Sequence, residues 1–235
     1  MMSACSNSLA MSTEAWFLHK YPSGDTSAQL SLFTREKGIV TCLYKGARTA
    51  KKQGLLQPFI PLWLSLDSKK DWHFVRHLES LASPLTFKHH ALFAALYVNE
   101  LIYLALKPLD PHPELYDAYQ YTLQGLTTVS ERLPIEALLR QFEWVLLAEC
   151  GYRLGLIDAI STNAHYYQFI AGKGFISANN GWVARDVHAI IQGEFNDVHV
   201  LKVAKLIMRQ AIHQLLGGRE LKSRSLFNPI VKTGM

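Results

Sequence analysis

At 235 residues, 49% hydrophobic and 18% charged, the chain has material for a sizeable core and falls outside the disordered class. Its formal charge of +5 is unevenly spread: residues 1–80 hold 10 Lys/Arg against 6 Asp/Glu, 81–198 hold 7 against 12, and 199–235 hold 7 against 1, giving +4, −5 and +6. Cationic ends around an acidic middle point to a polyanion partner for the ends and a different task for the middle.

The opening MMSACSNSLAMS has no basic region ahead of an apolar core, so it is not a secretory signal; residues 1–13 read as an extension, with Met11 as an alternative start. Cys5, Cys42 and Cys150 are odd in number and far apart, which suits a reducing compartment and a cytoplasmic location. The longest apolar run, Ala91 to Leu106, is interrupted by Asn99 and Glu100. It is shorter than the roughly 18–20 residues of a membrane span and reads as a buried helix.

Five strand-like segments precede residue 80: 15–20, 28–34, 39–45, 58–66 and 72–79, separated by turn residues such as Pro22-Ser23-Gly24-Asp25 and Asp67-Ser68-Lys69-Lys70-Asp71. In the second, Ala28, Leu30 and Leu32 point one way and Gln29 and Ser31 the other, the period of a half-buried strand. A tight turn at Arg35-Glu36-Lys37-Gly38 joins it to the third segment, after which Gly46 allows a change of direction. A loop then carries Lys45, Arg48, Lys51 and Lys52 with no acid among them. Together with Arg35 and Lys37 this places six cations within 18 residues, a footprint for a polyanion held without reading its sequence. Tyr44, on the same strand as Lys45, either stacks a base or joins the core, the commoner fate of strand aromatics. Five short strands over 14–82 fit an OB-fold or an SH3-like barrel equally well.

From Lys88 the period becomes helical, with helices expected at 88–107, 115–131, 134–150, 184–193 and 198–216. The third has an apolar stripe of Ile135, Leu138, Leu139, Phe142, Val145 and Leu146, with Pro134 in its first turn. In the last, Lys202, Lys205 and Arg209 recur at steps of three and four and share a face opposite Leu201, Ala204, Met208, Ala211, Ile212 and Leu215. Gly217-Gly218 supplies the stop. Residues 151–183 break the pattern: 166–170 and 174–176 read as short strands and Asn179-Asn180-Gly181 as a turn. No phosphate loop, nucleophile elbow or HExxH is present, and Gly172-Lys173-Gly174 lacks the third glycine of a dinucleotide loop. His73 and His77 have no third ligand in view, so no metal site and no catalysis are expected.

The words LFTREKG, KGAR and LLQPF, in this order and spacing, with Gly217-Gly218-Arg219-Glu220-Leu221-Lys222-Ser223-Arg224 near the other end, resemble the bacterial recombination mediator family RecO and its closing GGxxLKSR. The resemblance runs from about Glu14 to Phe227. It implies an α+β chain: an N-terminal five-stranded OB-fold over 14–82, then a mostly helical domain over 83–235 with an insert at about 151–183. In many such proteins that insert holds zinc through four cysteines. Here no cysteine follows Cys150 and His165 alone cannot make a tetrahedral site, so the insert is expected without zinc and the protein without a cofactor.

By the same resemblance the protein would bind single- and double-stranded DNA, anneal complementary strands and, with RecR, help load RecA onto DNA coated by single-strand-binding protein. It would be cytoplasmic and nucleoid-associated, with no membrane contact. The DNA-binding set would be Arg35, Lys37, Lys45, Arg48, Lys51 and Lys52, joined by Lys202, Lys205, Arg209, Lys222 and Arg224. The family also binds the acidic C-terminal tail of single-strand-binding protein through an apolar pocket and a basic residue; LLRQFE, Leu138 to Glu143, matches that helix. Arg140, with Leu138 and Phe142, is the site this implies, since a guanidinium can donate two parallel hydrogen bonds to a carboxylate. Glu136 and Glu143 lie four before and three after Arg140, and an intrahelical ion pair would account for it without a partner. An RNA-binding OB-fold protein and a non-catalytic protein adaptor remain the alternatives.

Overall fold

The structure is a computed structural model that describes residues 11–70, 72–157 and 164–227. Residues 1–10 of the expected extension, Asp71 of the fourth turn and part of the insert lie outside these residues. The chain divides into two compact units: one runs to Leu85 and includes Leu106–Tyr116, the other comprises Thr86–Ala105 and the residues from Asp117 onward.

The first unit is a closed barrel of β1 (Met11–Ser23), β2 (Ser27–Thr34), β3 (Gly38–Tyr44), β4 (Pro61–Lys69) and β5 (Trp72–Ser80), in the order β1-β2-β3-β5-β4 with β4 returning to β1. Neighbours are antiparallel except β3 and β5, the arrangement of an OB-fold. β1 is long enough, at 13 residues, to pair with β2 along one stretch and with β4 along another. Alternate residues Leu30, Leu32, Val40, Cys42, Leu62, Leu64 and Leu66 fill the interior. Burial pushes the Cys42 thiol up to about 12, so it stays a neutral core group.

Three local expectations need correction. Part of the cationic loop is helical, α1 (Ala50–Leu55). The fourth strand starts at Pro61 rather than Pro58, because Phe59 takes a positive φ of 67° that no strand accommodates. The second strand is not half-buried: Ser31, Phe33 and Thr34 are buried as well as the inward set, and the Tyr116 ring packs on Phe33 at 5.3 Å. The β2–β3 turn forms as expected, with Thr34 paired to Gly38. Gly38 has φ 64°, and a Cβ there would overlap the backbone oxygen of Asp110.

The second unit holds α2 (His90–Ala105), α3 (Pro113–Thr128) from Asp117 onward, α4 (Arg132–Glu149), α5 (Ala184–Gln192), α6 (Val198–Leu215) and a closing 3-10 helix, Lys222–Phe227. Each α-helix lies within a few residues of its sequence expectation, with Pro134 in the first turn of α4, where its missing N–H costs nothing. The α6 start is capped by Asp197, whose Oδ1 accepts from His199 N at 2.7 Å and Val200 N at 3.2 Å. Its end runs into Gly217 and Gly218, both at positive φ. The insert is a small sheet ordered β7-β6-β8, from β6 (Tyr166–Ile170), β7 (Gly174–Ala178) and β8 (Trp182–Val183). At two residues, β8 is too short to display a period, and the pattern did not reveal it. The 3-10 helix is tied down by Glu100, which accepts from Lys222 N and Ser223 N, each at 2.9 Å, and from Ser223 Oγ at 2.5 Å. Among the described residues no helix is long and apolar enough to cross a membrane.

Candidate nucleic-acid interface and a cationic cavity

On the barrel, Lys45, Arg48 and Lys51 are exposed around the loop and helix that follow β3. The bond from Arg48 N to Thr26 O sets the loop against the β1–β2 turn, Arg48 Nη1 adds one to Asp25 O at 2.9 Å, and the bond from Gln53 N to Thr49 O starts α1. Lys52 is bent back: its Nζ donates to Lys45 O at 2.8 Å and sits 4.4 Å from the centre of the Tyr44 ring. Tyr44 is therefore a core ring with a cation on its face, not an open stacking surface. Arg35 and Lys37 are exposed on the β2–β3 turn, at the other end of β3. Seven residues at about 3.3 Å each separate them from Lys45 by roughly 20 Å, so the six cations form two groups. Adjacency in sequence suggested one cluster; the extended strand between them splits it.

The second unit contains a cavity of about 400 Å³ lined from four elements. α2 contributes His90 and Tyr97, α4 contributes Arg132, Ile135, Glu136, Leu139, Arg140 and Glu143, α6 contributes Lys205 and Arg209, and the 3-10 helix contributes Arg224 and Phe227. Five of these are cations: Arg132 and Arg140 come from the acidic middle of the chain, and Lys205, Arg209 and Arg224 from its basic end. Ile135, Leu139 and Phe227 give apolar wall between them.

A continuous polar chain forms one wall. Tyr97 Oη donates to Glu143 Oε1 at 2.7 Å, which also receives Arg140 Nη2 at 2.6 Å. Arg140 Nη1 reaches Glu136 Oε2 at 3.3 Å, and Glu136 Oε1 receives Lys205 Nζ at 2.5 Å. Tyr97, Glu143 and Arg140 are all nine-tenths or more buried. Burial opposes the Arg140 charge, but Glu143 above all, then Tyr97 and Glu136, outweighs it and holds the guanidinium above its ordinary value. Burial, reinforced by Glu143, pushes the Tyr97 phenol up as well. Arg140 Nε is buried with no hydrogen-bond partner among the described residues. Arg224 lies over the Tyr97 ring with 5.9 Å from its guanidinium carbon to the ring centre.

The sequence-derived residues distribute accordingly. Arg140, Lys205, Arg209 and Arg224 come together at the cavity, although three of them were grouped with nucleic acid from sequence. Lys202, on the same side of α6, and Lys222 are exposed but do not line it. Leu138 and Phe142 do not line it either: Leu138 meets Gly125 of α3, and Phe142 is fully buried in the core. A helix turns 100° per residue, so Leu139 and Ile135 take the wall positions instead. Arg132, Phe227, Ile135 and Leu139 were missed as site residues because only the packing of four elements defines the cavity. His73 bonds Ser68 Oγ at 2.9 Å and His77 bonds Glu79 at 3.2 Å. No group of three or more His, Cys, Asp and Glu suited to a metal occurs among the described residues. With no cysteine after Cys150, the insert's donor set does not fit tetrahedral zinc.

An OB-fold followed by a helical unit with a cation-lined cavity defines the class as an oligonucleotide-binding-fold protein. Residues 9–84 match the family profile "Recombination protein O N terminal" and residues 88–178 match "Recombination protein O C terminal". A DNA repair protein RecO of Legionella pneumophila strain Lens is 50% identical over 224 residues, covering 93% of this chain and 98% of that one. That of Tolumonas auensis is 33% identical over 228 residues, covering 92% and 95%. That of Mannheimia succiniciproducens is 34% identical over 225 residues, covering 91% and 98%. The chain belongs to the RecO family of DNA repair proteins, which places it in DNA repair and recombination.

Proposed function

We propose that this protein binds single- and double-stranded DNA through its barrel, anneals complementary strands and, with RecR, helps load RecA onto DNA coated by single-strand-binding protein. The observation that carries the reading is the exposed Lys45, Arg48 and Lys51 group after β3, with Lys52 beside it, on an OB-fold. Such a surface acts without ATP. It lowers the repulsion between two phosphate backbones so that complementary strands meet, while base pairing supplies the driving force. The work is mediation rather than catalysis, and we assign it to the cytoplasm, with the nucleoid as its site. Arg35, Lys37, Lys202 and Lys222 lie outside the two surfaces described and receive no contact in this scheme.

The cavity in the helical unit is the proposed seat for the acidic C-terminal tail of single-strand-binding protein. Its terminal carboxylate replaces Glu136 between Arg140 and Lys205, its apolar side chains lie on Ile135, Leu139 and Phe227, and its acidic side chains meet Arg132, Arg209 and Arg224. Tail binding raises the protein's effective concentration on coated strands.

Annealing and DNA affinity across a salt series test the first part. Affinity should fall with a log–log slope of about 0.9 per phosphate contact on duplex and about 0.7 on single strand. Arg48→Glu with Lys51→Glu should weaken both and flatten the slope; unchanged affinity at low salt overturns the reading, as does a strong preference for RNA over DNA of equal length. Calorimetry with an acidic tail peptide tests the second. Arg209→Ala and Arg224→Ala should each weaken it without a change in Tm, and equal affinity in both variants overturns the assignment.

A further inference from the structure

Resting on the DNA-binding reading of the barrel, we propose that the outward face of the β3–β5 seam is a stacking platform for unpaired bases, with Trp72 as its principal ring and Phe74 as the second. Trp72 is 55% exposed at the start of β5, unusual for the largest apolar side chain. Before the bulge that leaves Arg76 unpaired, β5 alternates: Val75, opposite Leu66, packs against the core, so Phe74 and Trp72, one and three residues earlier, point outward, and the bulge then brings Leu78 back into the core. The parallel register sets Phe74 beside Leu43 of β3, whose own inward neighbours are Cys42 and Tyr44. Lys45, the first residue past the end of β3, holds its Nζ 6.0 Å from the centre of the Phe74 ring.

Charge matches the proposed occupant. Lys69, at the end of β4, and Lys70, on the turn after it, are exposed at the Trp72 end of the strip, and Lys45 and Arg76 are exposed at the other. The acids nearby are Asp67, which meets Arg76 at 3.6 Å, and Asp71 in sequence. Arg76 is exposed and its pair with Asp67 is long, at 3.6 Å, so a phosphate can compete for the guanidinium. Two rings separated by two strand residues lie about 6.6 Å apart along the strand, roughly twice the 3.4 Å rise of stacked nucleotides. Bases must leave each other to use both rings. The platform therefore takes single strands and leaves duplex to the cations alone, and it gives unpaired strands a docking mode that the cationic loop by itself lacks.

The test is equilibrium binding of the full-length protein to an oligothymidylate and to a duplex of matched length. Trp72→Ala should weaken single-strand binding by about 5- to 150-fold, the range for one lost stacked base, and duplex binding by less than about twofold. Trp72→Phe should keep most of the single-strand affinity yet lose most of the quenching of intrinsic tryptophan fluorescence on binding, because Trp72 is the exposed member of the five tryptophans. Equal losses on single strand and duplex, or no loss on either, overturn the platform while leaving the DNA-binding reading intact. A wild-type protein that binds neither nucleic acid overturns both.

Discussion

Lys205 of α6 and Glu136 of α4 are 69 positions apart in sequence, yet the lysine Nζ sits 2.5 Å from the carboxylate at the wall of the cationic cavity. The same carboxylate faces Arg140 at 3.3 Å and Arg132 at 3.9 Å. The cavity thus already contains a carboxylate from its own chain between the cations that an acidic ligand would use.

Removing that internal competitor should favour an external one. Glu136→Gln is expected to tighten binding of an acidic tail peptide by about two- to fivefold, the worth of one partly exposed ion pair. Calorimetry on both proteins measures it. Weaker binding in the variant would show that Glu136 serves to orient Arg140 and Lys205 rather than to occupy their site.

Arg140 carries structure as well as charge. Truncating it leaves Glu143, 2% exposed, without its 2.6 Å partner, so Arg140→Ala should lose about 3–5 kcal/mol in denaturant unfolding. Adding Glu143→Gln removes the stranded charge and should recover a substantial part. If the double variant is no more stable than the single one, the cost lies elsewhere than in the uncompensated carboxylate.

Gly38 has no room for a side chain. Its φ of 64° and the Asp110 backbone against it mean that Gly38→Ala should destabilise the protein by about 2 kcal/mol or more, whereas Gly24→Ala, at the same φ with open space around it, should cost clearly less. Thermal unfolding of the two variants side by side gives the comparison.

The α6 cap sets a pH dependence. Backbone N–H groups of Val200 and His199 stabilise the charged Asp197 carboxylate and lower its pKa below 3.8. A depressed folded-state value means that its contribution is complete above the unfolded value and fades as the pH falls through the folded one. Asp197→Ala should therefore lower Tm at neutral pH, with the gap from wild type shrinking in strongly acidic buffer. A gap that stays constant across that range would mean the cap's benefit does not depend on the carboxylate charge.

Much of the architecture was readable from the chain. Alternation in 28–34 and 39–45 with the turn between them gave a hairpin, and the change of period at Lys88 marked the helical part. Family words such as LFTREKG and GGRELKSR chose the OB-fold over its rival. The helix α1 was not readable, because six residues with no buried member leave no apolar period.

The candidate sites were less legible, for a geometric reason. Arg35 and Lys45 look clustered on paper but stand at opposite ends of β3, while Arg140, Lys205 and Arg224 look unrelated and line one cavity. The chain alone supplied the elements, their chemistry and the family, since backbone hydrogen bonding, side-chain period and turn residues act over a few positions at a time. Which side chains became neighbours was decided by tertiary packing. Barrel closure lays β5 beside β3 and sets Phe74 next to Leu43, and the packing of α4 against α6 sets Lys205 on Glu136. Distance in space depends on how buried apolar faces fit together, and that fit joins residues that no local pattern connects.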